Sequence, residues 1–186
     1  FDGRAAERWG STPKGEIFDD VADGTSFGLT TGLIAAASFS HMWVGIALGC
    51  LYVAATVYRL IRFVVEKRKD GIEGGVTTFS GLPSPGAALV VGTTCVLIAN
   101  DVTSGIIIVA TAFLMVSRVP YAHFGRSIVP KIPKVVRVLF LGAFLFLLAL
   151  GVHRDQYTVP LILSFIPAMG YLASPLLALL TRKREA

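Results

Sequence analysis

The sequence predicts an all-α membrane protein, a polytopic bundle with six transmembrane helices in this chain. Three observations lead there. First, 54% of the 186 residues are hydrophobic and only 16% are charged, against about 25% charged in an ordinary soluble domain. Second, five long stretches contain no Asp, Glu, Lys or Arg: Gly24–Tyr58, Gly74–Asn100, Val102–Ser117, Val138–His153 and Gln156–Thr181. A spanning helix needs roughly 17–25 apolar residues, so the first stretch is too long for one helix. Ser38-Phe39-Ser40-His41 is a suitable break within it. The expected spans are 17–38, 41–65, 84–100, 102–118, 135–152 and 157–181. Third, six alternating spans put 16 of the 17 basic residues on one side, leaving only Arg154 on the other. The positive-inside rule makes that basic side cytoplasmic. A wrong span count would scramble the segregation.

This topology accounts for the net charge of +5, with anionic lipid as a further attraction. No nucleic acid is implied. A soluble core built from short apolar helices would need far more charge between them. Between the spans, Glu66–Gly81 reads as a polar loop. Pro83 and Pro85 then open the third helix, where proline suits the first turn. Tyr121–Lys134 reads as a second loop, kept irregular by prolines. Val138–Gly151 is rich in Leu and Phe and should face lipid. Cys50 and Cys95 lie in apolar spans at no metal-ligand spacing and read as small packing residues.

The chemistry-bearing residues stand where the first span opens, Gly15-Glu16-Ile17-Phe18-Asp19-Asp20-Val21-Ala22-Asp23. A carboxylate in a membrane helix is costly and is a functional candidate by default. Asp19 and Asp23 are four apart and share a helix face, with Gly15 one turn earlier. Asp20 lies about 100° round from Asp19. Two carboxylates one turn apart repel, and a hard divalent cation such as Mg²⁺ removes the conflict. The alternative is a plain helix start, where Asp favours the positive end of the macrodipole. From these residues alone the two readings stand level.

Asp2-Gly3-Arg4-Ala5-Ala6 followed by Gly15-x-x-x-Asp19-x-x-x-Asp23 resembles the signature of the CDP-alcohol phosphotransferases. The resemblance implies a catalytic core over 1–121, then a cytoplasmic loop and two further helices over 122–186. It also implies an upstream Asp three residues before Asp2, an upstream segment to carry it, and eight helices in the complete protein. Glu7 stands where the family has Arg, with Arg8 after it, so Arg8 or Arg4 would take the phosphate-binding role. The ligands of two divalent ions, Mg²⁺ or Mn²⁺, would be the upstream Asp, Asp2, Asp19 and Asp23. Asp23 would also be the general base. Gly3, Ala6, Arg8 and Gly15 would bind the CDP-lipid.

Ser26-Phe27-Gly28, Tyr58-Arg59-Leu60-Ile61-Arg62-Phe63, Phe79-Ser80-Gly81-Leu82-Pro83-Ser84-Pro85 and Leu114-Met115-Val116-Ser117-Arg118-Val119-Pro120-Tyr121 resemble the phosphatidylserine synthases of bacteria and archaea. That implies CDP-diacylglycerol and L-serine as substrates in the cell membrane, with membrane lipids around the chain and room for a homodimer. Arg59, Arg62 and Arg118 would bind serine or phosphate, or else snorkel as topology anchors. The competing acceptors are glycerol 3-phosphate and an inositol phosphate. From another class, an ion or proton transporter would spread its acids along a path, whereas here they cluster at one end.

Overall fold

A computed structural model describes residues 22–70, 78–122, 133–154 and 157–182. It is an all-α membrane helical bundle. A π-helical turn, Gly24–Leu29, runs into α1, Thr30–Ala37. After the corner come α2, Met42–Asp70, then β1, Thr78–Ser80, and α3, Ser84–Leu97. There follow α4, Asp101–Val116, then β2, Pro120–Ala122, α5, Lys134–Arg154, and α6, Thr158–Arg182. Segments Met42–Glu66, Lys134–Gly151 and Thr158–Pro175 are long and apolar enough to cross a bilayer, and α3 and α4 are shorter apolar helices.

The expected break falls at Ser38–His41. There the Ser38 hydroxyl donates to Ile34 O at 2.6 Å, closing the last turn of α1. Ser40 N–H donates to Asp101 Oδ2 at 3.0 Å, tying this corner to the start of α4. The second helix runs beyond the expected 65 to Asp70, because Glu66, Lys67, Arg68 and Lys69 are good helix formers. The third and fourth helices stop short of 100 and 118. Ile98 and Asn100 are extended, and Asn100 Oδ1 accepts Thr103 N–H as the cap of α4. Extended Ser117 ends α4 ahead of Pro120.

A short ladder, absent from the sequence reading, pairs Thr78 with Ala122, Phe79 with Tyr121 and Ser80 with Pro120. Pro120 occupies the first position of its strand, where a missing donor is tolerated. Gly81 follows with φ +84, a conformation that favours glycine. Gly81 N–H donates to Val119 O and Leu82 N–H to Leu114 O, so the backbone between these short helices is paired within the protein.

The core lies between α1, α2, α3 and α4. Tyr52, Leu82, Val91, Ile108, Met115 and Tyr121 are fully buried in it. Three buried hydroxyls bond back along their own helices: Thr56 donates to Tyr52 O, Thr93 to Leu89 O and Thr111 to Ile107 O. On α5, Val135, Val138, Leu139, Leu141, Leu145 and Phe146 are exposed, as befits a helix solvated by lipid.

Helices α1 and α2 approach each other at backbone distance. A Cβ on Gly45 would lie 2.3 Å from Ala36 O, and one on Gly49 2.5 Å from Gly32 O. These are two small-x-x-x-small pairs, Gly32 with Ala36 and Gly45 with Gly49, facing each other. In lipid, such pairs let backbones approach and gain van der Waals contact. The crossing fixes the register of α1 on α2, and with it the placement of the functional groups below.

Candidate functional site

Asp23 is the acidic residue of the motif that lies within the described residues. It is exposed, has helical φ and ψ, and immediately precedes the π-helical turn. In that turn Thr30 N–H reaches back five residues to Thr25 O. The widened turn is stapled to α2. Buried Tyr52 donates its hydroxyl to Phe27 O at 3.1 Å. A Cβ on Gly28 would touch Thr56, and one on Gly24 would lie 3.5 Å from Leu60. Tyr52, Thr56, Arg59 and Leu60 recur at helical spacing, so this face of α2 supports the stretch that follows Asp23. π-Helical turns are frequent at functional sites.

One turn beyond Thr56 is Arg59, only 9% exposed. Its Nη1 donates to Ser84 Oγ at 2.5 Å, from the first turn of α3. The Arg59 guanidinium and the Asp23 carboxylate interact electrostatically. The structure therefore joins a buried cation from the second helix to a hydroxyl from the third, with the acid of the first helix within electrostatic range of that cation.

Arg62 is engaged differently. Its Nη1 donates to Val116 O at 2.6 Å, and its Nη2 donates to Ser80 O and, at 3.4 Å, to Met115 O. Its Nε lies 3.9 Å from Glu66 Oε1, and its guanidinium stands 5.9 Å from the Tyr58 ring centroid. Met115 and Val116 are the last residues of α4, whose carbonyls lack partners within the helix. Arg62 thus bolts α2 to the end of α4 and to β1, and its positive charge suits that helix end. Arg118 is exposed just past α4.

Removing the bolt is expected to destabilise the fold. Arg62→Ala leaves half-buried carbonyls without their donor, at a cost of about 1–3 kcal/mol. The midpoint of thermal unfolding in detergent should fall by several degrees, and Arg62→Lys should recover only part of it, since an ammonium lacks the guanidinium fork. Wild-type melting for Arg62→Ala would show that water serves those carbonyls equally well.

Asp2, Gly3, Ala6, Arg8, Gly15 and Asp19 lie outside the described residues, as do Arg4 and Asp20. Among the described residues no cluster of three or more His, Cys, Asp or Glu could hold a metal ion. Asp101 sits at the opposite end of the bundle, on Ser40. In the sequence Ser84 stands within a proline-flanked helix entry and the Phe79–Pro85 resemblance, with no role of its own. Its role as acceptor for Arg59 had no local signal. The Gly45–Gly49 spacing, by contrast, was readable and is what sets α1 against α2.

The sequence profile of the CDP-alcohol phosphatidyltransferases matches residues 1–119. No curated protein matches the chain.

Proposed function

We propose that this chain, which belongs to the CDP-alcohol phosphatidyltransferase family, transfers the phosphatidyl or archaetidyl group of a CDP-activated lipid to the hydroxyl of L-serine, releasing CMP. Membership itself supports the coarser statement, phosphatidyl transfer from a CDP-alcohol to an alcohol acceptor by a membrane protein of phospholipid biosynthesis. What supports the serine reading is buried Arg59, held by Ser84 at the entry of α3, with Asp23 within its electrostatic range. A proton acceptor within the field of a buried cation suits serine, which brings a hydroxyl and a carboxylate.

The family is generally dependent on divalent metal. The candidate donors Asp2, Asp19 and Asp23 offer only carboxylate oxygens, which fit a hard ion such as Mg²⁺ or Mn²⁺. Such ions would neutralise the diphosphate and favour departure of CMP.

The chain's own groups divide the remaining work. Arg59, held by Ser84, takes the serine carboxylate through its forked donors. Asp23 accepts the proton of the serine hydroxyl, needed because a neutral hydroxyl is a weak nucleophile. The freed oxygen attacks the phosphorus that carries the lipid. The bond from that phosphorus to the CMP oxygen breaks, and CMP leaves with the electron pair. Gly3, Ala6, Arg8 and Gly15 cradle the cytidine diphosphate. The site opens to the cytoplasm, where CMP and serine exchange with water while the lipid tails stay in hydrocarbon.

The test is an acceptor panel. Membranes or detergent-solubilised full-length protein receive labelled CDP-lipid with L-serine, glycerol 3-phosphate or inositol phosphate. Serine should give CMP and a serine-containing lipid. CMP release driven by either phosphorylated acceptor and not by serine would replace this reading with that one.

A further inference from the structure

Ser26-Phe27-Gly28 is a stretch of the sequence to which the proposed chemistry gives no task. It forms the middle of the π-helical turn, Gly24–Leu29. Such a turn bonds five residues ahead instead of four, so it holds about one residue more than an α-helical turn. The wide register is closed locally by Thr30. Its N–H and its hydroxyl both donate to Thr25 O, the hydroxyl at 3.2 Å. From outside the helix it is closed by Tyr52, fully buried on α2, whose hydroxyl donates to Phe27 O at 3.1 Å. Gly28 packs on the same face of α2, where an added Cβ would stand 3.0 Å from Thr56 Cγ2.

The turn stands between a fixed seat and the candidate base. After it, α1 is seated on α2 at backbone distance: a Cβ on Gly32 would lie 2.4 Å from Val53 Cγ2 and 3.1 Å from Gly49 O. That seat fixes the bearing of α1 from Thr30 onward. Before the turn stands Asp23, exposed and with α-helical backbone angles. A turn that relaxed from π to α would take up one residue, which is about 100° of rotation and about 1.5 Å of rise. The seated side is locked by its backbone contacts, so the rotation would fall on Asp23.

We infer that Tyr52 is a positioning residue for the candidate base: by holding Phe27 O it keeps the turn in its π register, and that register sets the bearing of Asp23. This rests on the reading of Asp23 as the group that accepts the hydroxyl proton. A general base must lie within hydrogen-bond reach of the proton it takes, and a misplacement of about 1 Å can cost about a hundredfold in rate. Tyr52 is buried away from both substrates and acts only through the backbone of the turn. Its ring fills the core and its hydroxyl holds the carbonyl, so the two contributions are separable by substitution.

The experiment compares Tyr52→Phe with Thr111→Val in the full-length protein. Each change removes one hydroxyl that bonds a backbone carbonyl from a fully buried residue and keeps a side chain of nearly the same shape. Initial rates of CMP release against serine and, separately, against CDP-lipid are measured together with thermal unfolding. Tyr52→Phe should lower kcat at least about tenfold, because the base loses its bearing. Both KM values should stay within about twofold, and the unfolding midpoint should match that of Thr111→Val within a few degrees, since each loses one hydrogen bond. Thr111→Val should keep the wild-type kcat. A wild-type kcat in Tyr52→Phe would overturn the inference. So would equal losses of kcat in the two variants, or a fall in kcat accompanied by weaker use of both substrates and a lower unfolding midpoint than Thr111→Val, because these mark a bond that only stabilises the fold. Asp23→Asn measured alongside tells this failure from a failure of the functional reading. Lost turnover in Asp23→Asn with none lost in Tyr52→Phe removes Tyr52 alone, whereas full turnover in Asp23→Asn removes Asp23 as the base, and the role of Tyr52 with it.

Discussion

Replacing Asp23 with Asn should lower CMP release by at least about a hundredfold, within the 10²–10⁴ range of general base catalysis. Asn keeps the size and hydrogen-bonding shape of the side chain but cannot accept the proton or serve a cation as an anion does. The exposed, helical setting of Asp23 means that the exchange should leave the fold intact. Unfolding by heat should therefore match the wild type while turnover disappears. Removing charge at this position also withdraws the electrostatic partner of Arg59, so binding of CDP-lipid and of serine should both be measured. An Asp23→Asn protein retaining more than a tenth of wild-type turnover would remove Asp23 from the chemistry.

The second large effect is structural. Gly49→Leu should prevent folded protein from accumulating in the membrane. The first atom of any side chain at Gly49 would already lie 2.5 Å from Gly32 O, a backbone atom that cannot swing aside. Overpacking a well-packed contact costs about 1–3 kcal/mol for a few extra methylenes, and a whole isobutyl group at a backbone crossing exceeds that. The consequence reaches the site, because the same helix pair packs the turn after Asp23 against Thr56 and Leu60, next to Arg59. Gly142→Leu on α5 is the control, since a Cβ there meets nothing within 4 Å. Recovery in detergent, followed by size-exclusion chromatography, should show wild-type levels for Gly142→Leu and little or no monodisperse Gly49→Leu. Equal recovery of the two would mean that α1 can shift on α2 without loss.

Much of this fold was legible in the sequence because the membrane imposes it. Charge-free runs and one-sided basic residues define helices without knowledge of their packing. The corner at Ser38–His41 was also legible, as a polar break inside an overlong apolar run. What escaped were features set by contacts between distant residues. The π-helical turn after Asp23 depends on Tyr52, 25 residues later, reaching Phe27 O. The β1–β2 ladder pairs residues 40 to 44 apart in the chain, in segments each too short to carry a strand pattern. Helix ends at Leu97 and Val116 followed extended backbone rather than the edge of the apolar run.

The site was legible unevenly. Asp23 stood out because a carboxylate at that depth is costly. Arg59 and Arg62, three residues apart on one helix, looked alike. Only the structure separates Arg59, buried and bonded to Ser84, from Arg62, which is engaged with backbone carbonyls.

The central claim is that Arg59 reads the carboxylate of an acceptor whose hydroxyl faces Asp23. Ethanolamine is serine without that carboxylate, so the ratio of CMP release with L-serine to that with ethanolamine isolates the contact. Wild-type protein should favour serine by at least about tenfold, the worth of one charge-assisted hydrogen bond. Arg59→Ala should bring the ratio close to one by weakening serine use alone. An unchanged ratio in Arg59→Ala, or a wild-type protein that uses both acceptors equally, would contradict the account.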